Sequence, residues 1–286
     1  RVAGDEDVVA MIEAQKNVVN KEILKPIGLD YNKPLAETDF LLECNEQGDI
    51  AGSNLGPLVA DATHSYVNRH IKGGTDISIV AVGMIRDNIV PGLQTASDIF
   101  RIMSMGNGKD NIPGYPLCRL YVTGHELKGI LEIMYIAGKS TPGNYCYYAG
   151  VKADYDPDRG LLKKIQKISI VRPDGTIQDV DFSKENTTLY SIVANSYIME
   201  NVSIIKKLSK GLVKLVPKDG SGNIITDMTT AFLDFDQKID GIQEGKEWLA
   251  IVEYLASMKD INGNGVPDID PKYKIAIKSL TAVKSR

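Results

Sequence analysis

The chain is poor in the residues that metal and redox chemistry draw on. Its 286 residues include three cysteines and three histidines. Cys44, Cys118 and Cys146 form no Cys-x-x-Cys pair, which leaves no zinc-knuckle or thioredoxin-type motif. Their plain reading is as small buried hydrophobes, with room for one disulfide in an oxidising compartment. His64 and His70 stand six apart on one predicted helix, so they do not share a face as an i, i+4 ligand pair would. With His125 they read as surface or satisfied core histidines. There is no basic excess either: 33 Lys and Arg against 37 Asp and Glu give a net charge of −4, which argues against nucleic acid as the main partner. No apolar run continues far enough without a charge or glycine to span a bilayer. No leader opens the chain. It begins at Arg1 in a helical-looking stretch and reads as a trimmed piece of a longer polypeptide, so that lack says nothing about secretion.

What is present suits a soluble globular domain: 43% apolar and 24% charged residues, in a chain long enough to bury a full core. Asp5 to Ile23 is expected to be helical, with Val8, Ile12, Val19 and Ile23 near one face. A connector runs from Leu24 to Glu37, and Phe40 to Leu42 suggests a short strand. A polar loop spans Cys44 to Ser53, and a second helix Gly56 to Val67. Asp76 to Val82, apolar on both faces, reads as a central strand. Cys118 to Val122 is a strand running into Thr123-Gly124-His125-Glu126, the spacing of a capping box. Tyr145 to Ala153 reads as one aromatic strand. Ile165 to Val171 and Thr176 to Phe182 flank Arg172-Pro173-Asp174-Gly175, a hairpin turn. Thr188 to Ala194 is a buried strand leading to Asn195-Ser196-Tyr197 and a helix near Ile204 to Leu208. Leu212 to Val216 and Ile224 to Thr226 bracket a glycine-rich turn. Glu247 to Met258 is a strong helix, and Tyr273 to Ile277 a final strand. Interleaved strands and helices with hairpins among them predict an α+β (mixed α/β) fold, a mixed sheet flanked by helices. With no internal repeat and no long linker, residues 1–286 are expected to form a single domain.

The most informative stretch runs from Ser53 to Asn107. A helix leads into the buried strand, a glycine turn carries Arg86 just past the strand's end, and a short helix closes on a Gly-Asn corner. Open α/β sheets present ligand contacts at such strand ends. Asn54, Leu55, Gly56, Leu58, Asp61 and Ala62 spell Asn-Leu-Gly-x-Leu-x-x-Asp-Ala. Thr123, Gly124, Leu127, Leu131 and Glu132 spell Thr-Gly-x-x-Leu-x-x-x-Leu-Glu. On these motifs the chain resembles the C-terminal domain of the 5'-nucleotidase / UDP-sugar hydrolase family, with the strongest register over residues 53–135. It departs from the family at the substrate motifs. The Asn-Gly-Gly-Gly-Ile-Arg turn is here Ala81-Val82-Gly83-Met84-Ile85-Arg86, keeping the arginine and one glycine. Pro-Phe-Gly-Asn is here Ser104-Met105-Gly106-Asn107. Tyr190, Val193 and Asn195 lead to Tyr197 in the second aromatic position, while the Gly-Gly-Asp-Gly turn is absent.

The resemblance implies a substrate-recognition domain with no catalytic residue of its own. Arg86 would face phosphate or ribose, Met105 and Tyr197 would bracket the base, and Asn107 would complete the binding set. The ligand implied is a nucleotide or nucleoside-like small molecule. Bond cleavage and divalent metals would belong to an N-terminal metallophosphoesterase domain in cis, in a periplasmic or extracellular protein. The replaced clamp residue also leaves a second reading: a cell-surface binding or structural module that kept the fold and lost the nucleotide. Stacking on an aromatic face contributes on the order of 1–3 kcal/mol per base, whereas Met105 offers a weaker sulfur–ring contact.

Two further motifs carry chemistry. Gly106-Asn107-Gly108-Lys109 lacks the phosphate-loop spacing and is read as a turn. In the segment Asp260 to Asp270, the residues Asp260, Asn262, Asn264 and Asp268, with Gly265 at the sixth place, copy a calcium loop and imply a structural calcium ion. Pro271 falls where the bidentate glutamate usually stands, with Asp270 as its substitute. The other reading is an Asx-rich turn.

Overall fold

The computed structural model describes residues 3–44, 52–200, 205, 209 and 211–284. The central sheet has four strands: β2 (Ile77–Ala81), β4 (Leu117–Thr123), β5 (Cys146–Ala149) and β9 (Leu189–Asn195). Their order across the sheet is β4-β9-β2-β5. β9 runs parallel to β2, while β4 and β5 run antiparallel to their neighbours. The continuous run of apolar and β-branched residues in β2 is explained by burial on both faces.

One face of the sheet presents Val80, Tyr147 and Ala149 to α2 (Leu55–His70) and α6 (Glu247–Ala256), which bring Leu55, Leu58, Val59, Trp248, Ile251 and Leu255 into a shared core. The Asn-Leu-Gly motif works here as structure. Gly56 lies so near the ring of Tyr147 that an added Cβ would stand 2.1 Å from it. The Asn54 amide donates to the carbonyls of Leu41 and Tyr273, and Asp61 accepts from the Tyr273 hydroxyl at 2.6 Å. The opposite face presents Ile79, Leu120, Val122 and Ile192 to α4 (Gly124–Ser140), whose Leu127, Ile130, Leu131 and Ile133 complete a second core. The capping box that starts α4 is present: Glu126 accepts from the Thr123 N–H and the Thr123 hydroxyl accepts from the Glu126 N–H.

A second sheet is built from β6 (Val151–Tyr155), β7 (Ile165–Val171), β8 (Ile177–Asp179) and β10 (Leu280–Ala282), in the order β10-β6-β7-β8. β1 (Pro34–Thr38) and β3 (Gly92–Thr95) form an antiparallel pair, followed by α3 (Ala96–Ile102). The mixed α+β class and the sheet flanked by helices are as expected.

Several local expectations are corrected. The aromatic run 145–153 is two strands in two sheets, because Gly150 turns the chain at φ +76° against the Asp76 carbonyl. The connector before Glu37 contains β1, and Leu42 makes only an isolated bridge to Ile89. Residues 273–277 begin in a 3₁₀ turn, Pro271–Lys274, capped by Asp270, and the last strand lies later, at β10. Residues 212–216 and 224–226 form no strands; Ile224 makes an isolated bridge to Lys218. The first helix, α1 (Glu6–Val19), forms as expected, but its apolar side is not buried: Val8 is 46% and Met11 60% exposed. Most of the expected helix near 204–208, apart from residue 205, and most of the 44–53 loop lie outside the described residues. Cys118 and Cys146 are buried free thiols, and the Cys44 sulfur lies 3.4 Å from the Tyr147 hydroxyl.

Candidate functional site

Because β2 and β9 are parallel and β4 and β5 oppose them, four connections emerge at one end of the central sheet. Residues 82–86 follow β2 and 196–199 follow β9, while 103–116 precede β4 and 142–145 precede β5. A hollow of about 290 Å³ opens there, and Met105 and Tyr197 both line it. Both are also partly exposed, at 39% and 48%, so they lie where the hollow meets solvent.

Arg86 stands at the rim. It is exposed, its N–H donates to the Ile102 carbonyl at 2.8 Å, and its guanidinium donates to the carbonyl of Gly83 at 3.2 Å. Gly83 lines the hollow; Arg86 itself does not. Asn107 is also exposed and outside the lining, its backbone bridged to Pro113. The structure therefore brings Met105 and Tyr197 together, sets Arg86 one contact away, and leaves Asn107 apart.

The loop carrying Met105 is held firmly. Gly106 adopts φ +89° above the ring of Tyr115, and the Gly114 N–H donates to the Gly106 carbonyl at 2.9 Å. Its far side is fixed by Lys246, wholly buried, which pairs with Glu244 and with Asp110 at 3.2 Å. Glu244 also accepts from the Lys109 N–H, and the Trp248 indole donates to the Pro113 carbonyl at 2.7 Å. Tyr197 is stacked obliquely on Tyr115, with ring centroids 5.4 Å apart, a contact of about 0.5–1.5 kcal/mol beyond area burial.

Tyr197 lies in the first turn of α5 (Ser196–Glu200), and Asn195 sets that helix in place. The Asn195 side chain accepts from the Ile198 N–H and donates to Glu247 at 2.7 Å. Burial pushes the Glu247 carboxyl up to about 7, an effect that the Asn195 hydrogen bond partly offsets. Its other oxygen is buried without a partner. Tyr115, Asn195, Lys246 and Glu247 were not expected in the site. Gly106 points to Tyr115 and Gly108 to Lys246, since a glycine leaves room for a close neighbour.

The Asp/Asn-rich loop lies elsewhere, against the edge of β1. Asp260 accepts from the N–H groups of Gly263, Asn264 and Gly265, and Asp268 from those of Ile261 and Asn262. Asp270, the expected substitute for a twelfth-position glutamate, caps the turn at Lys272 instead. Glu37 of β1 occupies the loop: its carboxylate accepts from Asn262 at 2.5 Å and from Asn264 at 2.7 Å. Among the described residues, no group of three His, Cys, Asp or Glu side chains is placed to hold a metal ion. The side-chain oxygens in the loop belong to carboxylates and amides, and in this structure they are taken up by hydrogen bonds within the loop. No helix among the described residues is long and apolar enough to cross a membrane.

Residues 36–209, more than half of the chain, match the family model described as 5'-nucleotidase, C-terminal domain. A probable 5'-nucleotidase of Treponema pallidum is 29% identical over 170 residues, covering 58% of this chain and 26% of that protein. Among solved structures, the 5'-nucleotidase precursor of Thermus thermophilus aligns with a TM-score of 0.60 at 15% identity, over 98% of this chain and 43% of that one. The NAD nucleotidase of Haemophilus influenzae aligns at 0.58 and 13% identity, over 98% and 41%. At these identities the structural likeness establishes the fold. The chain spans less than half the length of each of these relatives.

Proposed function

This chain belongs to the family of 5'-nucleotidase C-terminal domains, and from that premise we propose that it is the substrate-recognition part of a larger, exported 5'-nucleotidase-like phosphohydrolase. Its ligand is a nucleotide or nucleoside-like molecule, with the base between Met105 and Tyr197 and Arg86 reaching the ribose or phosphate from the rim. Asn107 plays at most an outer part, since it does not line the hollow. Hydrolysis, and the divalent metals it needs, fall to an upstream metallophosphoesterase domain.

The observation that carries this reading is that Met105 and Tyr197 line one hollow at the strand ends, where α/β sheets hold ligands. Calorimetry with adenosine and with UMP tests it. Heat of binding that falls on Tyr197→Ala and on Arg86→Ala supports the reading, with the arginine change acting on UMP alone if it faces phosphate. No heat at millimolar ligand overturns it.

A second reading, a surface module that has lost nucleotide binding, is favoured by one feature: among the described residues, no charged side chain lines the hollow. Intact Asp-x-His and Asn-His-Asp metal motifs upstream would speak for the phosphohydrolase, and their loss for the module. In either case we propose a structural calcium ion at Asp260, Asn262, Asn264 and Asp268. The amide N–H groups of Asn262 and Asn264 donate to Glu37, so an ion held there requires those amides to turn their oxygens toward it, with Glu37 as its acidic ligand.

A further inference from the structure

The hollow behind Met105 and Tyr197 has a chemistry that a base alone does not account for. Its floor is the face of the central sheet that looks toward α4: Ile79 of β2, Leu120 and Val122 of β4, and Ile192 of β9. The space arises from small residues at the strand ends. Ala81 closes β2, Ala194 stands next to last in β9, and Cys146 opens β5, with Gly83 and Gly143 in the adjoining turns. Four methionines, Met84, Met105, Met134 and Met199, border it, and thioether side chains adapt to apolar surfaces of varied shape. Among the described residues, the polar side chains in the lining are Asn144, the Tyr197 phenol and the Cys146 thiol. That thiol donates to the Asn144 carbonyl, and burial pushes it up to about 12, so it adds no charge.

The apolar walls of a hollow this size leave one another short of dispersion contacts, a cost that grows with volume. Water gains little there, since a buried water needs two to four polar partners. A cavity of about 150 Å³ holds one benzene ring; at about 290 Å³ this one has room for a two-ring molecule.

We propose that this chamber is an apolar subsite, selecting a ligand that carries an uncharged hydrophobic group of roughly a dozen non-hydrogen atoms, inserted past Met105 and Tyr197 toward Met134. The inference rests on the entrance described above but not on a phosphate or a nucleobase being held there. Any charged part of the ligand stays outside, at the rim near Arg86.

The test is a titration of the chain with 1-naphthol, a neutral two-ring probe, run beside adenosine and UMP. Two variants narrow the chamber from different strands, Ala194→Leu and Ala81→Ile. Naphthol should bind the parent chain saturably, and each variant that folds should weaken it at least about tenfold. Each such variant should also melt at a higher temperature without ligand, since it fills a void. Saturable naphthol binding with no response to adenosine or UMP leaves this inference standing and removes the nucleotide reading. Binding of adenosine or UMP without naphthol does the reverse. If naphthol does not bind the parent chain, or binds both folded variants as tightly, the chamber is no subsite. If neither variant folds, the parent titration and the loss of naphthol signal on adding a competing apolar alcohol decide alone.

Discussion

Gly106 lies against the ring of Tyr115, so close that a Cβ built on it would stand 2.5 Å from Cγ and 2.6 Å from both Cδ atoms. The same ring meets Tyr197 on the other side of the entrance. Tyr115 thus links the segment carrying Met105 to the helix carrying Tyr197, and the width of the entrance depends on it.

Gly106→Ala should therefore do two kinds of damage. Its backbone sits at φ +89°, and the new methyl group meets the ring. Together these should cost on the order of 1–3 kcal/mol in urea unfolding. In a Tyr115→Ala background the collision disappears and only the backbone part, about 1 kcal/mol, should remain. Equal costs in the two backgrounds would mean that the glycine is needed for its conformation alone.

Glu247 makes stability depend on pH with a definite sign. Its carboxyl is raised from 4.5 to about 7 by burial, so between those values the folded state holds a proton that the unfolded state has released. The stabilisation is complete below the unfolded value, near 4.5, and is lost as pH rises through about 7. The loss is of order 3 kcal/mol at most. Burial lowers the His64 imidazole, which acts with the opposite sign as pH falls below its ordinary value. The clean measurement is thus the difference between the parent chain and Glu247→Gln, which keeps an oxygen for Asn195. Relative to the parent, Glu247→Gln should gain stability from about pH 5 to about pH 8. A flat difference would show that Glu247 is not protonated in the folded state.

Lys246 is buried between Glu244 and Asp110. Lys246→Met leaves two carboxylates without their cation, and breaking such a buried set costs about 3–5 kcal/mol. Adding Glu244→Gln and Asp110→Asn should recover most of that loss. A single change within about 0.5 kcal/mol of the parent would show that water already reaches the cluster.

How much of this could be read in the chain depends on range. The Thr123–Glu126 capping box, the turn at Arg172–Gly175 and the Asn54–Ala62 helix start are set by chemistry within a few residues, and all are found as expected. The division of residues 145–153 was hidden, because Gly150 turns only where the Asp76 carbonyl and His64 crowd it. β1 was hidden for a similar reason: its partner β3 lies far along the chain, and its own residues look like a connector. Met105 and Tyr197 could be found because a motif places them. Tyr115 and Glu247 could not, since each acts on the entrance through a contact between distant segments.

The loop at Asp260 separates two accounts of its own sequence. As a self-bonded turn, it owes its form to Asp260, whose carboxylate accepts three backbone N–H groups. Asp260→Ala should then cost about 1–3 kcal/mol, with or without metal. As a calcium loop, it gains something more, because carboxylate oxygens keep lone pairs free while accepting N–H groups. With the weak affinity of extracellular calcium modules, near 10⁻⁴–10⁻³ M, about 10 mM calcium should add roughly 1.4–2.7 kcal/mol by mass action. Magnesium should add less, since it demands a tighter octahedral shell. Glu37→Gln is the discriminating change. Its amide oxygen can still accept from Asn262 and Asn264, so stability without metal should hardly move, while the calcium increment should shrink. A parent chain whose melting temperature is the same in calcium at about 10 mM and in EDTA would leave the self-bonded turn as the whole account.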